Sequence, residues 1–477
     1  MVRRLLQKLP LRNWPGLHDH WWGRVPSRAD VGEWLRDRSP AQLFAGSFVL
    51  LIIIGTLALR LLPGLYTGER MGWIDCLFTS TSAVCVTGLI VVDTDLALTF
   101  WGQLVVLTLI QLGGLGIMAF ASLVILVLGR RLSLDVQDSA GSEMVELPRV
   151  RPRQLIGGIF IYTFGIELLT AAGLYTLWHD RLGHGDALWS AIFHAVSGFC
   201  QAGFSANTDS LVSWNDSPLT LAVIGLPVLV GGLGFLSMED LRRRVFHRQH
   251  RLSLHTKLVS VATVLLFGVG LVVFLAFEWN GVLGEMALVD KIANAGFMSV
   301  AARSVGFNAI DHAAAGSGTN FFTVVLMAIG GGPGGTAGGI KVTTVAVVVL
   351  LAWNRFRGRR HVILFHRTVP DEIIHRATGL IIAFGALTIL CLLVITNTES
   401  RAEQQFLAYL FEVTSALGNV GLSMGVTGEL SDTGKLVIVV AMFSGRVGPI
   451  TVASLFAQRG GRRRDKFRYA NGEVIIG

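Results

Sequence analysis

Four short apolar stretches of the sequence share a glycine at the same place. They read SAVCVTGLIV, SGFCQAGFSA, SVAARSVGFN and SALGNVGLSM, and in each the glycine is followed by Leu or Phe. These glycines follow one another along the chain at intervals of 115, 103 and 115 residues. Glycine accepts φ > 0, a conformation that turns successive backbone carbonyls to one side of the chain. Rings of such carbonyls replace the hydration shell of a dehydrated cation in ion channels.

The four stretches therefore predict a cation site made of backbone rather than of side chains. Uncharged carbonyl loops suit K⁺ better than Ca²⁺ or Mg²⁺, which prefer carboxylate ligands. The same argument discriminates less well against Na⁺. We predict that the site consists of the four glycines and the residues that precede them, namely Thr87, Gly88, Ala202, Gly203, Val305, Gly306, Val420 and Gly421.

A second stretch, GGGPGGTAGGIK at residues 330–341, interrupts an apolar segment long enough to cross a membrane. Seven of the ten residues 330–339 are glycine, and each glycine costs a helix interior about 1 kcal/mol relative to alanine. Broken backbone at membrane depth is tolerated only where it is buried in protein or lines a watery cavity. We therefore predict a loop inside a pore, able to gate it, made of Gly330, Gly331, Gly332, Pro333, Gly334, Gly335, Thr336, Ala337, Gly338, Gly339 and Lys341.

Ionisable residues within apolar segments are candidates for function. Arg446 lies in the middle of the last apolar segment, in MFSGRVGPITV. It is either a fixed positive charge that limits flux through the pore, or a structural residue that snorkels to the membrane interface or pairs with a buried acid such as Glu167 or Glu412. Lys341 either faces the cavity or reaches the inner membrane interface. For His194, in the second short stretch, we expect a structural role.

Composition and segment order place these residues in a membrane protein. The 477 residues are 52% hydrophobic and 15% charged, which leaves no room for a second large soluble domain. The four cysteines show no metal-binding or disulfide pattern. A long, a short and a long apolar segment recur four times, at 43–128, 153–239, 255–353 and 371–457. We predict an all-α integral membrane protein of four span, pore half-helix, span repeats, with pseudo-fourfold symmetry around one ion pore.

The second spans of the first, second and fourth repeats also contain glycines, and there we expect close helix contacts in unbroken helices. Of the 40 Lys and Arg residues, 31 lie between the repeats or at the two ends of the chain. The positive-inside rule therefore places the basic N-terminal segment 1–42 and the tail 458–477 in the cytoplasm, with all four half-helices entering from outside.

With these motifs together, the chain resembles the Trk/Ktr/HKT superfamily of potassium transporters, and within it the membrane subunits of Ktr-type systems. The resemblance implies a K⁺ uptake protein of the bacterial plasma membrane whose filter contains the four glycines. Glycine at the first filter position, Gly88, is what the family uses for K⁺ preference. It further implies a gate at 330–341, a pore-facing Arg446, a homodimer, and often activation by Na⁺.

The same resemblance implies a cytoplasmic ring of RCK-type regulatory subunits that carries the nucleotide, ATP or ADP. This chain itself shows no phosphate-binding motif. The alternative is a Na⁺-coupled secondary transporter of another solute, whose binding sites also use broken helices. That class often has inverted repeats, whereas the four repeats here start from the same basic side. An enzyme is not expected, because the apolar segments contain no nucleophile with a partnered base.

Overall fold

The computed structural model describes residues 40–137, 152–246, 249, 251–359, 361–365, 367–399 and 405–448. The predicted C-terminal tail 458–477, the last residues of the fourth repeat and nearly all of the N-terminal segment 1–42 lie outside the described residues. The predicted pore and loop residues all lie within them.

Helices make up nearly all the regular structure. In the first half of the chain they are α1 (Pro40–Leu61), α2 (Trp73–Val84), the single-turn α3 (Thr94–Ala97), α4 (Phe100–Gln137), α5 (Pro152–Leu182), α6 (His184–Cys200), α7 (Pro218–Leu233) and α8 (Phe235–Phe246). In the second half they are α9 (Leu254–Glu278), α10 (Leu288–Ala301), α11 (Ser317–Met327), α12 (Val342–Phe356), α13 (Asp371–Thr398), α14 (Phe406–Gly418) and α15 (Asp432–Val447). A two-stranded antiparallel ribbon, β1 (Ile363–Leu364) and β2 (Arg367–Thr368), joins α12 to α13.

Five helices among the described residues are long and apolar enough to cross a membrane, and the bent pair α7 and α8 would make a sixth span. The pair α11 and α12 is separated by the glycine-rich stretch, and the described part of α15 has 16 residues. The five long stretches are Gln42–Leu61, Phe100–Phe120, Ile156–Leu182, Leu254–Glu278 and Asp371–Thr398.

Four short helices, α2, α6, α10 and α14, lie between the long ones and end three to five residues before the four glycines. Each has 12 to 17 residues, too few to cross a membrane. Side chains in their C-terminal halves are mostly buried, so each helix end points into the protein. The short segments predicted from the sequence are therefore helices that stop inside the molecule.

Glycines of the long helices allow close approach to the ends of the short ones. A methyl group on Gly113 of α4 would overlap the Val84 carbonyl, and one on Gly445 of α15 would overlap the Leu417 carbonyl. In α7 a methyl group on Gly231 would lie 2.7 Å from the Phe199 carbonyl oxygen. These contacts agree with the expectation of close helix packing at glycines.

The expectation of an unbroken second span in the second repeat is wrong. α7 and α8 meet at an angle of 103° at Gly234, whose φ is +86°. The Phe235 amide donates to the Gly334 carbonyl oxygen at 3.2 Å. The glycine-rich stretch of the third repeat therefore supplies a hydrogen-bond acceptor for a backbone amide at the break. The neighbouring repeat thus helps to stabilise the break at Gly234.

Candidate ion pore

The four glycines meet in one closed ring. A methyl group on Gly88 would overlap the carbonyl oxygen of Ala202 and lie 3.0 Å from the Cα of Gly203. Likewise, a methyl group on Gly203 would lie 3.0 Å from the Cα of Gly306, one on Gly306 would lie 2.9 Å from the Cα of Gly421, and one on Gly421 would lie 2.9 Å from the Cα of Gly88. The contacts follow chain order around the ring, so Gly88 and Gly421, which are 333 positions apart in sequence, become neighbours.

Each position of the ring contains two residues with positive φ. The glycines have φ values of +97°, +69°, +73° and +93°, which residues with a side chain rarely adopt. The residue two positions before each glycine also has positive φ, and sequence reasoning missed this feature because three of the four types give no hint of it. These residues are Val86 at 55°, Gln201 at 63°, Ser304 at 102° and Asn419 at 49°.

Amide groups of the ring point back to the short helices. The amides of Thr87, Ala202, Val305 and Val420 donate to carbonyls of their own short helices at 2.8, 2.7, 3.2 and 2.9 Å. Within the part of the chain that the structure describes, no group donates to the carbonyl oxygens of these four residues. Because buried carbonyls normally have partners, four unpartnered ones beside a ring of glycines form a candidate site for a dehydrated cation.

The short helices contribute to this site through their ends. Their C-termini carry a partial negative charge, since the last carbonyls of a helix lack internal partners. Ser82 and Ser415 support the first and fourth positions, where the Gly88 amide donates to the Ser82 hydroxyl at 3.1 Å and the Gly421 amide to the Ser415 hydroxyl at 3.0 Å. The ring is therefore held by its helices and favours positive charge.

The glycine-rich stretch 330–341 is a loop that lies against two opposite positions of the ring. At one end the Gly332 amide donates to the Gly232 carbonyl of α7 at 2.7 Å, and the Thr336 hydroxyl donates to the Phe199 carbonyl at 3.1 Å. At the other end a methyl group on Gly338 would come within 2.5 Å of the Asn419 Cβ. The loop thus extends from the broken span of the second repeat to the short helix of the fourth.

The buried Arg446 and the partly buried Lys341 bind adjacent carbonyls of this loop. Arg446 donates to the Thr336 carbonyl oxygen at 2.5 Å, and Lys341 donates to the Ala337 carbonyl oxygen at 2.6 Å. Lys341 therefore turns back to the loop. Arg446 makes no ion pair among the described residues. Glu167 accepts from Gln111 and Glu412 accepts from Thr427. The reading of Arg446 as the partner of one of those acids finds no support.

Sequence reasoning also overlooked a buried cation next to the ring. Arg303 lies three residues before Gly306 and is only 7% exposed. It donates to the carbonyls of Ser299 and Thr263 at 3.4 and 3.5 Å. In the sequence, its position just after the short helix α10 could have indicated that this arginine is buried near the ring. His194, for which a structural role was expected, is buried, and both its ring nitrogens have hydrogen-bond partners.

Comparisons with known proteins match the chain to one family and to several relatives. The family described as "TrkH: Cation transport protein" matches residues 35–461. The chain is 37% identical to the Ktr system potassium uptake protein B of Bacillus subtilis, covering 94% of this chain and 98% of the relative. It is 34% identical to the potassium/sodium uptake protein NtpJ of Enterococcus hirae, covering 92% and 97%. The crystal structure of the potassium transporter TrkH from Vibrio parahaemolyticus has the same fold, with a TM-score of 0.74 at 18% identity over 91% and 90% of the chains.

Proposed function

The chain belongs to the TrkH family of cation transport proteins, and from this premise we propose that it takes up K⁺ through the ring of four glycines. The observation that carries the proposal is the ring itself, with four carbonyl oxygens that no described residue engages. A dehydrated K⁺ would find in them the ligands that replace its water shell. The relatives named as potassium uptake proteins support K⁺ as the ion.

The architecture we propose around this ring is four span, half-helix, span repeats with pseudo-fourfold symmetry. The order of long and short helices and the ring contacts in chain order support it. Thr87, Ala202, Val305 and Val420 would bind the ion through carbonyl oxygens, and the glycines make their approach possible. The alternative, a Na⁺-coupled transporter of another solute, is not favoured, because the relatives are named for K⁺ uptake.

The loop 330–341 is the gate in this proposal, and Arg446 and Lys341 hold it closed. Both cations donate to carbonyls of the loop, at Thr336 and Ala337. Arg446 has two further N–H groups, Nε and one Nη, without a partner among the described residues, so much of its charge is not neutralised. A positive charge at this depth repels a cation that leaves the ring toward the cytoplasm.

The remaining parts of the proposal concern the assembly. The names of two relatives, Ktr system proteins B and D, support a membrane subunit of a larger system. We propose a homodimer in the bacterial plasma membrane, with both termini in the cytoplasm and an RCK-type ring that binds ATP or ADP. The basic connections 240–257 and 354–376 would face this partner. Activation by Na⁺ belongs to the same proposal.

The experiment that tests the function is rescue of a bacterium that lacks K⁺ uptake systems. Cells that express the chain, with or without a partner subunit, are grown over a range of K⁺ concentrations, and Rb⁺ uptake is measured in the same cells. Growth at low K⁺ is expected only with the chain. A well-expressed chain that supports neither growth nor Rb⁺ uptake under any of these conditions would refute the proposal.

A further inference from the structure

In the second repeat, a buried histidine connects the short helix to the segment that follows the ring glycine. His194 Nδ1 lies 2.8 Å from the Ser190 carbonyl oxygen, which can only accept, so Nδ1 carries the hydrogen. With the ring neutral, Nε2 accepts from the Ser205 hydroxyl at 2.9 Å. That hydroxyl in turn accepts from the Asn207 amide at 2.9 Å. The result is a directed chain from the backbone after Gly203 to the short helix.

In the fourth repeat, a buried acid has the corresponding arrangement. Glu412 is fully buried and accepts a hydrogen bond from the Thr427 hydroxyl. Since Thr427 gives its hydrogen to Glu412, it accepts from the Ser423 hydroxyl at 3.1 Å. Ser423 accepts from the Gly425 amide at 2.9 Å. This chain again leads from the backbone after the ring glycine to the short helix.

The two chains occupy equivalent positions. His194 and Glu412 each lie nine residues before a ring glycine, and Ser205 and Ser423 each lie two residues after it. The amides that begin the chains belong to the fourth residue after the glycine in both repeats, Asn207 and Gly425.

The other two repeats lack this connection. Nine residues before the ring glycine they have Thr79, whose hydroxyl contacts the Met71 sulfur at 3.9 Å, and Phe297, which has no hydrogen-bonding side chain. Two residues after the glycine they have Ile90 and Asn308. Chain order around the ring places the second and fourth repeats opposite each other. The connection is therefore present on two opposite sides of the ring and absent from the two between.

We infer that His194 and Glu412 are positioning residues that fix the outer part of the filter in two opposite repeats and thereby set its preference for K⁺ over Na⁺. The inference rests on the proposed function. Ser205 and Ser423 lie only two residues after the ring glycines. The hydrogen bonds that hold these serines therefore also restrict movement of the carbonyls at the ring. A ring held at one width by two opposite connections binds a smaller ion less well, because its carbonyls do not follow the ion inward. Successive hydrogen bonds in each chain also polarise and thereby strengthen one another.

The test measures Rb⁺ uptake into proteoliposomes that contain the full chain, with Na⁺ as competitor. Its readout is the ratio of the Na⁺ inhibition constant to the Rb⁺ half-saturation constant. We expect Glu412→Leu, His194→Phe and Thr427→Val to lower this ratio about fivefold, the equivalent of about 1 kcal/mol. Glu412→Gln keeps an acceptor oxygen for Thr427 and should stay near the wild-type ratio. Thr79→Val, the same position in the first repeat, is the matched control and should leave the ratio unchanged.

Variants that leave this ratio unaltered, whether or not the maximal Rb⁺ uptake falls, would overturn the inference and make these residues structural. Should Glu412→Leu fail to fold, Thr427→Val removes the same hydrogen bond with almost no change in volume and decides the matter. A correctly folded wild-type chain that carries no Rb⁺ either alone or with a partner subunit would instead overturn the proposed function, which separates the two failures.

Discussion

At the scale of single residues, the four ring glycines have no space for a side chain. At Gly88, Gly306 and Gly421 a methyl group would overlap a carbonyl of the next position, and at Gly203 it would lie 2.5 Å from one. Positive φ adds a second constraint at all four positions. Because each side chain would displace a carbonyl of the neighbouring repeat, a substitution at one glycine alters two positions of the ring.

The first residue-scale prediction is that Gly88→Ser weakens discrimination between K⁺ and Na⁺. The serine Cβ would push against the Ala202 carbonyl and its hydroxyl would compete for the ion. We expect the Na⁺ inhibition constant for Rb⁺ uptake to fall about tenfold, the equivalent of about 1.4 kcal/mol. Gly165→Ser, in α5 with nothing within 4 Å of the added Cβ, is the control. Equal competition by Na⁺ in both variants would make Gly88 a packing residue only.

The second residue-scale prediction concerns Arg446. Its guanidinium binds the loop through Thr336 and has no acidic partner among the described residues. Two unit charges about 8 Å apart repel by about 2 kcal/mol at an effective dielectric constant of about 20. Arg446→Gln should therefore raise Rb⁺ flux by about thirtyfold at most, whereas Arg446→Lys, which keeps the charge, should stay near wild type. Loss of folded protein in Arg446→Gln, judged by its thermal unfolding in detergent, would point to a structural role instead.

At the scale of elements, the loop 330–341 has few side chains and is held mainly by backbone hydrogen bonds. Its partners are the broken span α7 and α8 and the two cations, through Gly232, Phe235, Arg446 and Lys341. A segment with little apolar packing opens at low cost. Gating by a partner subunit requires only that the partner binds the open state more tightly than the closed one.

The element-scale prediction is that deletion of residues 334–337 leaves a pore that conducts without its partner. The deletion removes the carbonyl of Gly334, which binds α8, and those of Thr336 and Ala337, which bind the two cations. Rb⁺ flux in proteoliposomes without any partner subunit should rise well above that of the intact chain. Thr336→Val, which removes only the hydroxyl bond to Phe199, is the milder control. A folded deletion variant that stays closed would show that this loop is not the gate.

At the scale of the whole molecule, the sequence predicted the helical class and the residues that meet at the ring, since the repeat made four distant glycines equivalent. It predicted the loop from its glycine content. It did not predict the bend at Gly234, because the carbonyl that satisfies the broken helix comes from residue 334, a hundred positions further along the chain. Nor did it indicate the positive φ of Val86. A β-branched residue disfavours this conformation, so the surrounding ring must impose it.

The last prediction concerns the orientation of the molecule in the membrane. The basic connections between repeats predict that α9 runs from the cytoplasm outward, so the turn at Glu285 lies outside and Arg359, after α12, lies inside. Both residues are exposed, and all four native cysteines are buried, so background labelling is low. In intact cells a membrane-impermeant maleimide should label Glu285→Cys within minutes and Arg359→Cys only after permeabilisation. The reverse pattern would invert the proposed topology and place the loop 330–341 on the outer side of the ring, where a cytoplasmic partner does not reach it.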